Sequence, residues 1–414
     1  MFIRILGCIF VLASVTPASA NDELRPLVES MGYNPNRIFT QPTAGLLPGD
    51  VVVLSGTYKG NYPLTVADTH GTREAPIVFL AMPGEEVILD GLVASLETRD
   101  SSNIVFDGLT LTNSQDMTGQ GARLTQSSDI TLRNIHSTGH AFGLWGMQGL
   151  TNILIENCEF HANSSSGVNF GAGIDPNDGL TIRNCHIYNN GGDGFQHAGY
   201  VSNLLFENNT IHSNSGAGIS LLNGVCDSLV SHNLVFNNSR DGILLRNTST
   251  PYVEPGMQND NIISDNIVWV GRFSWNDCQP TPEHQAAICL QDLPQTGICQ
   301  NLIHDNIFVT WAGAGISFSD TQLSQENSFV GNVLFRQMSD EWIFAIGDEW
   351  FSIDDLNCLA NCQNNLCTWP GFKDVSIHYY NTPHLFNFDV PEPHFAGLAI
   401  MKLGMLLIRP KRRS

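Results

Sequence analysis

From residue 101 onward, short runs of alternating apolar and polar residues recur between turn residues: NIVFDGLTL, DITLRNIHS, NILIENCEF, LTIRNCHI, NLLFENNTI, NIISDNIVW and NLIHDNIFV. One column aligns them: Leu109, Ile135, Cys158, Cys185, Asn209, Asn233, Asn266, Asn306 and Asn332, with gaps of 26, 23, 27, 24, 24, 33, 40 and 26 residues. Three positions before it stand Phe106, Leu132, Ile155, Ile182, Phe206, Val230, Ile263, Ile303 and Phe329, all apolar. Two positions after it the residue is apolar in every coil but one, where Ser137 stands. Nine positions after it, five coils place Gly before an apolar residue: Gly167-Val168, Gly194-Phe195, Gly218-Ile219, Gly242-Ile243 and Gly315-Ile316. Alternation with period two marks strands, and three strands per turn of about 24 residues with Asn and Gly at the corners is the pattern of a parallel β-helix. A sandwich would not keep register across nine units.

The pattern predicts an all-β chain in which residues 45–345 form a right-handed parallel β-helix of about nine or more coils. Over that span the chain resembles the pectate lyase superfamily, and the stretch PGDVVVLSGTYKGNYPLTVADTHGTREAPIVFLAMPGEEVILDG resembles the opening coils of β-helix polysaccharide lyases. That resemblance implies the fold and leaves the chemistry open, since one fold hosts lyases, hydrolases, epimerases, adhesins and inert shafts. Residues 21–44 are expected to cap the first coil, with a helix from Asp22 to Gly32. Residues 346–389 are expected to form a C-terminal cap stapled by cysteines. The gaps of 33 and 40 mark loops at Asn247 to Asp260 and Val270 to Gln285.

The aligned Asn column reads as a structural ladder, its amides satisfying corner backbone groups. Two positions before it, Asp107, Arg133, Glu156, Arg183 and Glu207 alternate in sign and predict an ion-pair ladder on an outer wall. His197 falls at an inward position, where Phe170, Leu221 and Leu245 stand in other coils. The outer face of the second strand is chemically richest: one position after the column come His136, Glu159 and His186, and three positions after it come His161, Tyr188 and His212. Coils stack ~4.8 Å apart, so these side chains form one patch. Tyr188, His161, His186, His212 and Glu159 are the candidate catalytic residues, and His136, Glu159 and His186 the candidate metal ligands. The plainer reading is a polar face under a loop. Farther along the same rows stand Leu234, Phe236, Ile267, Trp269, Ile307, Val309, Val333 and Phe335, a stripe expected to be covered or to dock something. Asp193 and Asp241 are fallback acids at equivalent corners roughly 9.6 Å apart, at the edge of the ~6.5–9.5 Å spread of an inverting glycosidase pair.

Charge and the two ends narrow the setting. The formal charge is −21, from 19 basic and 40 acidic residues. Six of the basic residues lie in residues 1–20 and 394–414, which hold no acid, leaving 13 against 40 in the body, a net −27. Such a surface repels phosphate backbones and excludes nucleic acid as a partner. MFIRILGCIFVLASVTPASA has the basic, apolar and small-residue parts of a secretory signal peptide, residues 1–20. At the other end, residues 390–414 read VPEPHFAGLAIMKLGMLLIRPKRRS, a mostly apolar stretch before a basic tail, which suits transient membrane insertion. This segment resembles the PEP C-terminal sorting signal of Gram-negative exported proteins. That resemblance implies an exosortase-type membrane protease as partner and a destination at the cell surface or in the exopolysaccharide matrix. A plain C-terminal anchor is the alternative. Nine cysteines follow the signal peptide, and export favours disulfides among them over a zinc site.

Two functions remain. The leading reading is a surface or matrix β-helix that binds or spaces glycan without catalysis. The alternative is a carbohydrate-active enzyme, a polysaccharide lyase or C5-epimerase relative before a glycoside hydrolase, using Tyr188 with a neutral His and with Ca²⁺ or Arg183 opposing a substrate carboxylate. Against it, the chain has only four lysines, Lys59, Lys373, Lys402 and Lys411. The Asp-Pro-His-Asp signature of alginate epimerases appears only as Asp175-Pro176-Asn177-Asp178, without its His.

Overall fold

Each aligned column of the sequence is a column of stacked residues in space. In the first sheet Phe106, Leu132, Ile155, Ile182, Phe206, Val230, Ile263, Ile303 and Phe329 are successive parallel partners. The computed structural model describes residues 23–367 except 114–115, 172–174, 248–257, 272–285, 293–296, 311–313, 320–326, 337–343, 347–348 and 358–361. The signal peptide, the sorting segment, Cys278, Cys358 and most of both predicted loops lie outside the described residues. Within them the chain winds into three sheets of 15, 12 and 12 strands, full coils giving a strand to each sheet and two of them adding a short extra strand, Val201–Ser202 and Val225–Cys226, to the first, with a separate two-stranded pairing besides.

The inward columns of all three sheets merge into one core. Phe106, Phe160, Phe170, Phe195, Phe206, Phe308 and Phe329 are each 0% exposed within it. A one-residue slip of any strand would turn these rings to solvent, at about 1.5–3 kcal/mol each. The corners are set by left-handed backbone one position before the aligned column: Asn134, Asn157, Asn184, Asn208, His232, Asp265 and Asp305 have φ between 53° and 58°, and Gly108 and Gly331 take the same place at 78° and 68°. Asn, Asp and Gly tolerate that conformation best, which explains their recurrence there.

Three side-chain ladders pin the corners. In the aligned column each asparagine's Oδ1 accepts from the backbone N–H of the residue one coil before, from Asn209 on Cys185 (2.9 Å) to Asn365 on Asn332 (3.0 Å). A second ladder, Asn163, Asn190, Asn214 and Asn238, lies five positions after the column. A third, Asn261, Asn301 and Asn327, lies five positions before it. The outer-wall ion ladder is also in register, and it is drawn in more tightly than an exposed pair. Glu156, only 7% exposed, accepts from Arg133 Nε (2.7 Å) and Arg183 Nη2 (2.6 Å), and these arginines hold its carboxyl below the usual range against the opposing effect of burial.

The ends differ from expectation. The helix Arg25–Ser30 forms, but it covers the side wall of the first sheet. Val28 packs with Ile38, Val51, Val53, Val78 and Leu80, the outward residues of Arg37–Phe39, Asp50–Leu54 and Ile77–Ala81. All five residues of each of these strands are buried, so their outer face needed a cover. The solenoid begins before residue 45, because Arg37–Phe39 already pairs in parallel with Asp50–Leu54. It runs beyond 345 too: Cys362–Gln363 and Leu366–Cys367 add to the first and second sheets, aligning Cys362 with Phe329 and Cys367 with Leu334. The third sheet ends where Glu349–Phe351 folds back antiparallel on Phe344–Ile346. Cys158, Cys185, Cys226 and Cys289 are unbonded thiols. Cys158 and Cys185 occupy equivalent corners of adjacent coils, and burial beside Cys185 pushes the Cys158 thiol far up. No helix among the described residues is long and apolar enough to cross a membrane.

Candidate functional site

The patch lies on three-residue strands of the second sheet. His136–Thr138, Glu159–His161, His186–Tyr188 and Thr210–His212 stack in parallel, each with its middle residue in the core and its two ends facing outward. The register is His136, Glu159, His186, Thr210 in one row and Thr138, His161, Tyr188, His212 in the other. Every candidate is half-buried, and none is sealed from solvent.

Contacts run along diagonals between the rows. His136 Nε2 meets His161 Nε2 at 2.6 Å, the Tyr188 hydroxyl donates to Glu159 Oε1 at 2.5 Å, and His186 Nε2 meets His212 Nε2 at 2.7 Å. The rings also stack: His161 on Tyr188 with centroids 4.8 Å apart and planes at 7°, Tyr188 on His212 at 5.2 Å, and His212 on Phe236 at 4.6 Å. Burial lowers the pKa of His161, His186 and His212, the last to about 4 with His186 adding to the effect. Burial, then the Glu159 carboxylate, raises that of Tyr188. At neutral pH these three histidines are therefore neutral bases and Tyr188 is a proton donor.

Just past the ends of these strands lies an open depression of about 460 Å³, lined by Ala162, Asn163, Asn189, Asn190, Ser213 and Ser215 among others. The sequence pattern alone does not point to this depression. Its only trace there is the small or amide residues recurring four to six positions after the aligned column. Three of the turn residues, Ala162, Asn189 and Ser213, have left-handed backbone (φ 51°, 54° and 56°), which folds the chain sharply away from the sheet and opens the depression.

Among the described residues, one set of three potential metal ligands converges: His136, Glu159 and His161, with ligand atoms within 4.8 Å of one another. His161 takes the place proposed for His186, because ring contacts follow the diagonal and His186 is turned to His212. Two imidazoles and one carboxylate do not fit Ca²⁺, which takes six to eight oxygens. Arg183 is not at this face; it lies on the first sheet's wall, bound to Glu156. The fallback acids serve the backbone, Asp193 Oδ1 accepting from Ala217 N–H and Asp241 Oδ1 from Ala286 N–H, both at 2.7 Å. Burial raises Asp241 to about 7. His197 is a core residue, 0% exposed, its Nε2 3.2 Å from Asn177 Nδ2. Of the apolar stripe, Phe236 is 7% and Val309 2% exposed.

Residues 94–267 match the family model of the right handed beta helix region. The fold is a right-handed parallel β-helix. No curated protein sequence matches the chain. Among solved structures, this β-helix is similar to the GH136 lacto-N-biosidase from Eubacterium ramulus, with TM-score 0.52 and 12% identity over 84% of this chain and 70% of that one. It is also similar to a tailspike protein mutant of E. coli bacteriophage HK620 in complex with pentasaccharide, with TM-score 0.50 and 12% identity over 84% of this chain and 62% of that one. The A-module of a mannuronan C-5 epimerase from Azotobacter vinelandii aligns at TM-score 0.45 and 14% identity, over 85% of this chain and 95% of that one. At such identities the likeness is one of fold.

Proposed function

We propose that this β-helix is an exported surface or matrix protein that binds glycan on the outer face of its second sheet, without turning it over. The observation that carries this reading is the open depression edged by the Asn189 amide and the Ser213 and Ser215 hydroxyls, beside a row of half-buried polar rings. Amide and hydroxyl groups at fixed spacing suit the hydroxyls of a sugar chain, and strands of a solenoid hold them without loop entropy. The acids able to form a glycosidase pair, Asp193 and Asp241, are engaged by backbone N–H groups. With a formal charge of −21, the chain takes neutral glycans directly and polyuronates only with a bridging cation such as Ca²⁺.

Export by the signal peptide and sorting by an exosortase-type protease, with the C-terminal segment transiently in the membrane, belong to the same proposal. They place the protein at the surface or in the exopolysaccharide matrix of a Gram-negative bacterium. Intact mass from the native host tests this: loss of residues 1–20 and a second cut near Pro391 to Pro393 are expected, and an exported chain that retains Arg412 and Arg413 contradicts it.

A second reading has its own observation, the Tyr188–Glu159 hydrogen bond among neutral imidazoles. Tyr188 as acid and His161, His186 or His212 as base could move a proton at a uronate, as a lyase or C5-epimerase requires. Glycan retention by the mature chain, with and without Ca²⁺, combined with product analysis separates the two. Ser215→Trp, which fills the depression, should abolish retention, and Tyr188→Phe should abolish turnover if there is any.

A further inference from the structure

We infer that the outer face of the second sheet also carries a site for a divalent cation of the Zn²⁺ class, held by His136 Nε2, His161 Nε2 and one oxygen of Glu159. These three donors come from two adjacent strands at fixed register. His136 and Glu159 are direct cross-strand partners, and His161 is two residues along from Glu159 on the same face. Their ligand atoms lie within 4.8 Å of one another on a half-buried surface.

The two Nε2 atoms point at each other at 2.6 Å, so a single hydrogen must lie between two atoms that are both good metal donors. A cation can replace that hydrogen. Tetrahedral ligands at Zn–N ~2.0–2.1 Å lie ~3.3 Å apart, so only a small opening of the two rings is needed. The carboxylate is already oriented, because Tyr188 donates to Glu159 Oε1 and leaves Oε2 for the ion. Such an outer partner is what a metal-binding carboxylate ordinarily has. Imidazole and carboxylate donors select zinc-like ions over Ca²⁺ and Mg²⁺, and three protein ligands leave a fourth position for water or a ligand oxygen. The other imidazole pair, His186 with His212, has Thr210 in the row position where Glu159 stands beside His136, and its nitrogens are not among the ligand atoms that converge. This site does not depend on the glycan reading.

Titration of Zn²⁺ into the metal-free mature protein by calorimetry tests the inference, together with the visible spectrum of the Co²⁺-loaded protein. One saturable Zn²⁺ per chain is expected, with a tetrahedral Co²⁺ spectrum and at least tenfold weaker binding in His136→Phe and His161→Phe. Phenylalanine preserves the ring stack and removes the donor. Glu159→Gln provides a third variant should either of these fail to fold. His304→Gln, on the first sheet, should bind as the parent does. Absence of saturable binding, or binding unchanged in folded ligand variants, overturns the site.

Discussion

Tyr188 and Glu159 come from adjacent coils and opposite rows, yet the phenol donates to the carboxylate at 2.5 Å, with a histidine pair on either side. The rows are fixed by the pleat, so the pairing is a property of side-chain direction. Tyr188→Phe keeps the stack on His161 and His212 and frees Glu159 to solvent. Because the pair is half exposed, the expected loss is about 1 kcal/mol in urea denaturation. A loss above about 3 kcal/mol would mean the pair is sealed from water.

The asparagine ladder should be far less forgiving. Asn233 accepts from the backbone and side-chain N–H groups of Asn209 and donates to the Phe206 carbonyl and to Asn266 Oδ1. Asn233→Leu leaves several buried polar groups unpaired at once, so a loss of about 3 kcal/mol or more is expected. Equilibrium unfolding checks it, and a loss under about 1 kcal/mol would contradict the ladder's role.

Close packing between coils gives a third expectation. A Cβ added at Gly194 would lie 2.4 Å from Ile211 Cγ2 and 2.8 Å from the Gly218 carbonyl. Gly194→Ala should therefore cost about 1–3 kcal/mol. A melting temperature equal to the parent's would show that the coils yield there.

Stability should also fall in acid through the buried histidines. Burial pushes His197 down to about 3, against about 6.5 in the unfolded chain. Between those values the unfolded chain takes up a proton that the native core refuses. Its contribution is thus complete above about 6.5 and is lost as pH falls toward 3, by up to about 1.4 kcal/mol per pH unit. His140 and His212, each lowered to about 4, act in the same direction. Asp241, raised to about 7, acts in the opposite one. His197→Leu, which copies Leu221 and Leu245 in the same column, should flatten the decline between pH 7 and pH 4.5. An unchanged slope contradicts the assignment.

The register was legible because two constraints coincide: alternation with period two in every strand, and a left-handed Asn, Asp or Gly just before the aligned column. Two of the three asparagine ladders are not read from the aligned column, although Asn163 and Asn261 repeat in the chain as Asn209 does. All three stand at corners, but only the aligned column is flanked on both sides by the alternating strands that set the register, so the pattern singles out that one alone. The rows of the patch could be read as well, but the diagonals could not. Which of His161 and His186 turns toward His136 depends on ring direction, which spacing alone does not encode. Arg183 ends the strand Asn177–Arg183 and His186 opens the next one, so the corner between them puts the guanidinium on another wall, away from any substrate carboxylate at the patch. The helix Arg25–Ser30 went to the side because Val51, Val53, Val78 and Leu80 make the first strands apolar on both faces, a feature visible in DVVVL and IVFLA.

The central claim is tested most directly by incubating the mature chain with a panel of neutral and acidic glycans, following retention and products together, in the parent and in Ser215→Trp. Saturable retention of at least one glycan, abolished by Ser215→Trp and unaccompanied by shortened, unsaturated or epimerised products, is the predicted result. Products whose formation requires Tyr188, or retention that survives a filled depression, would contradict it.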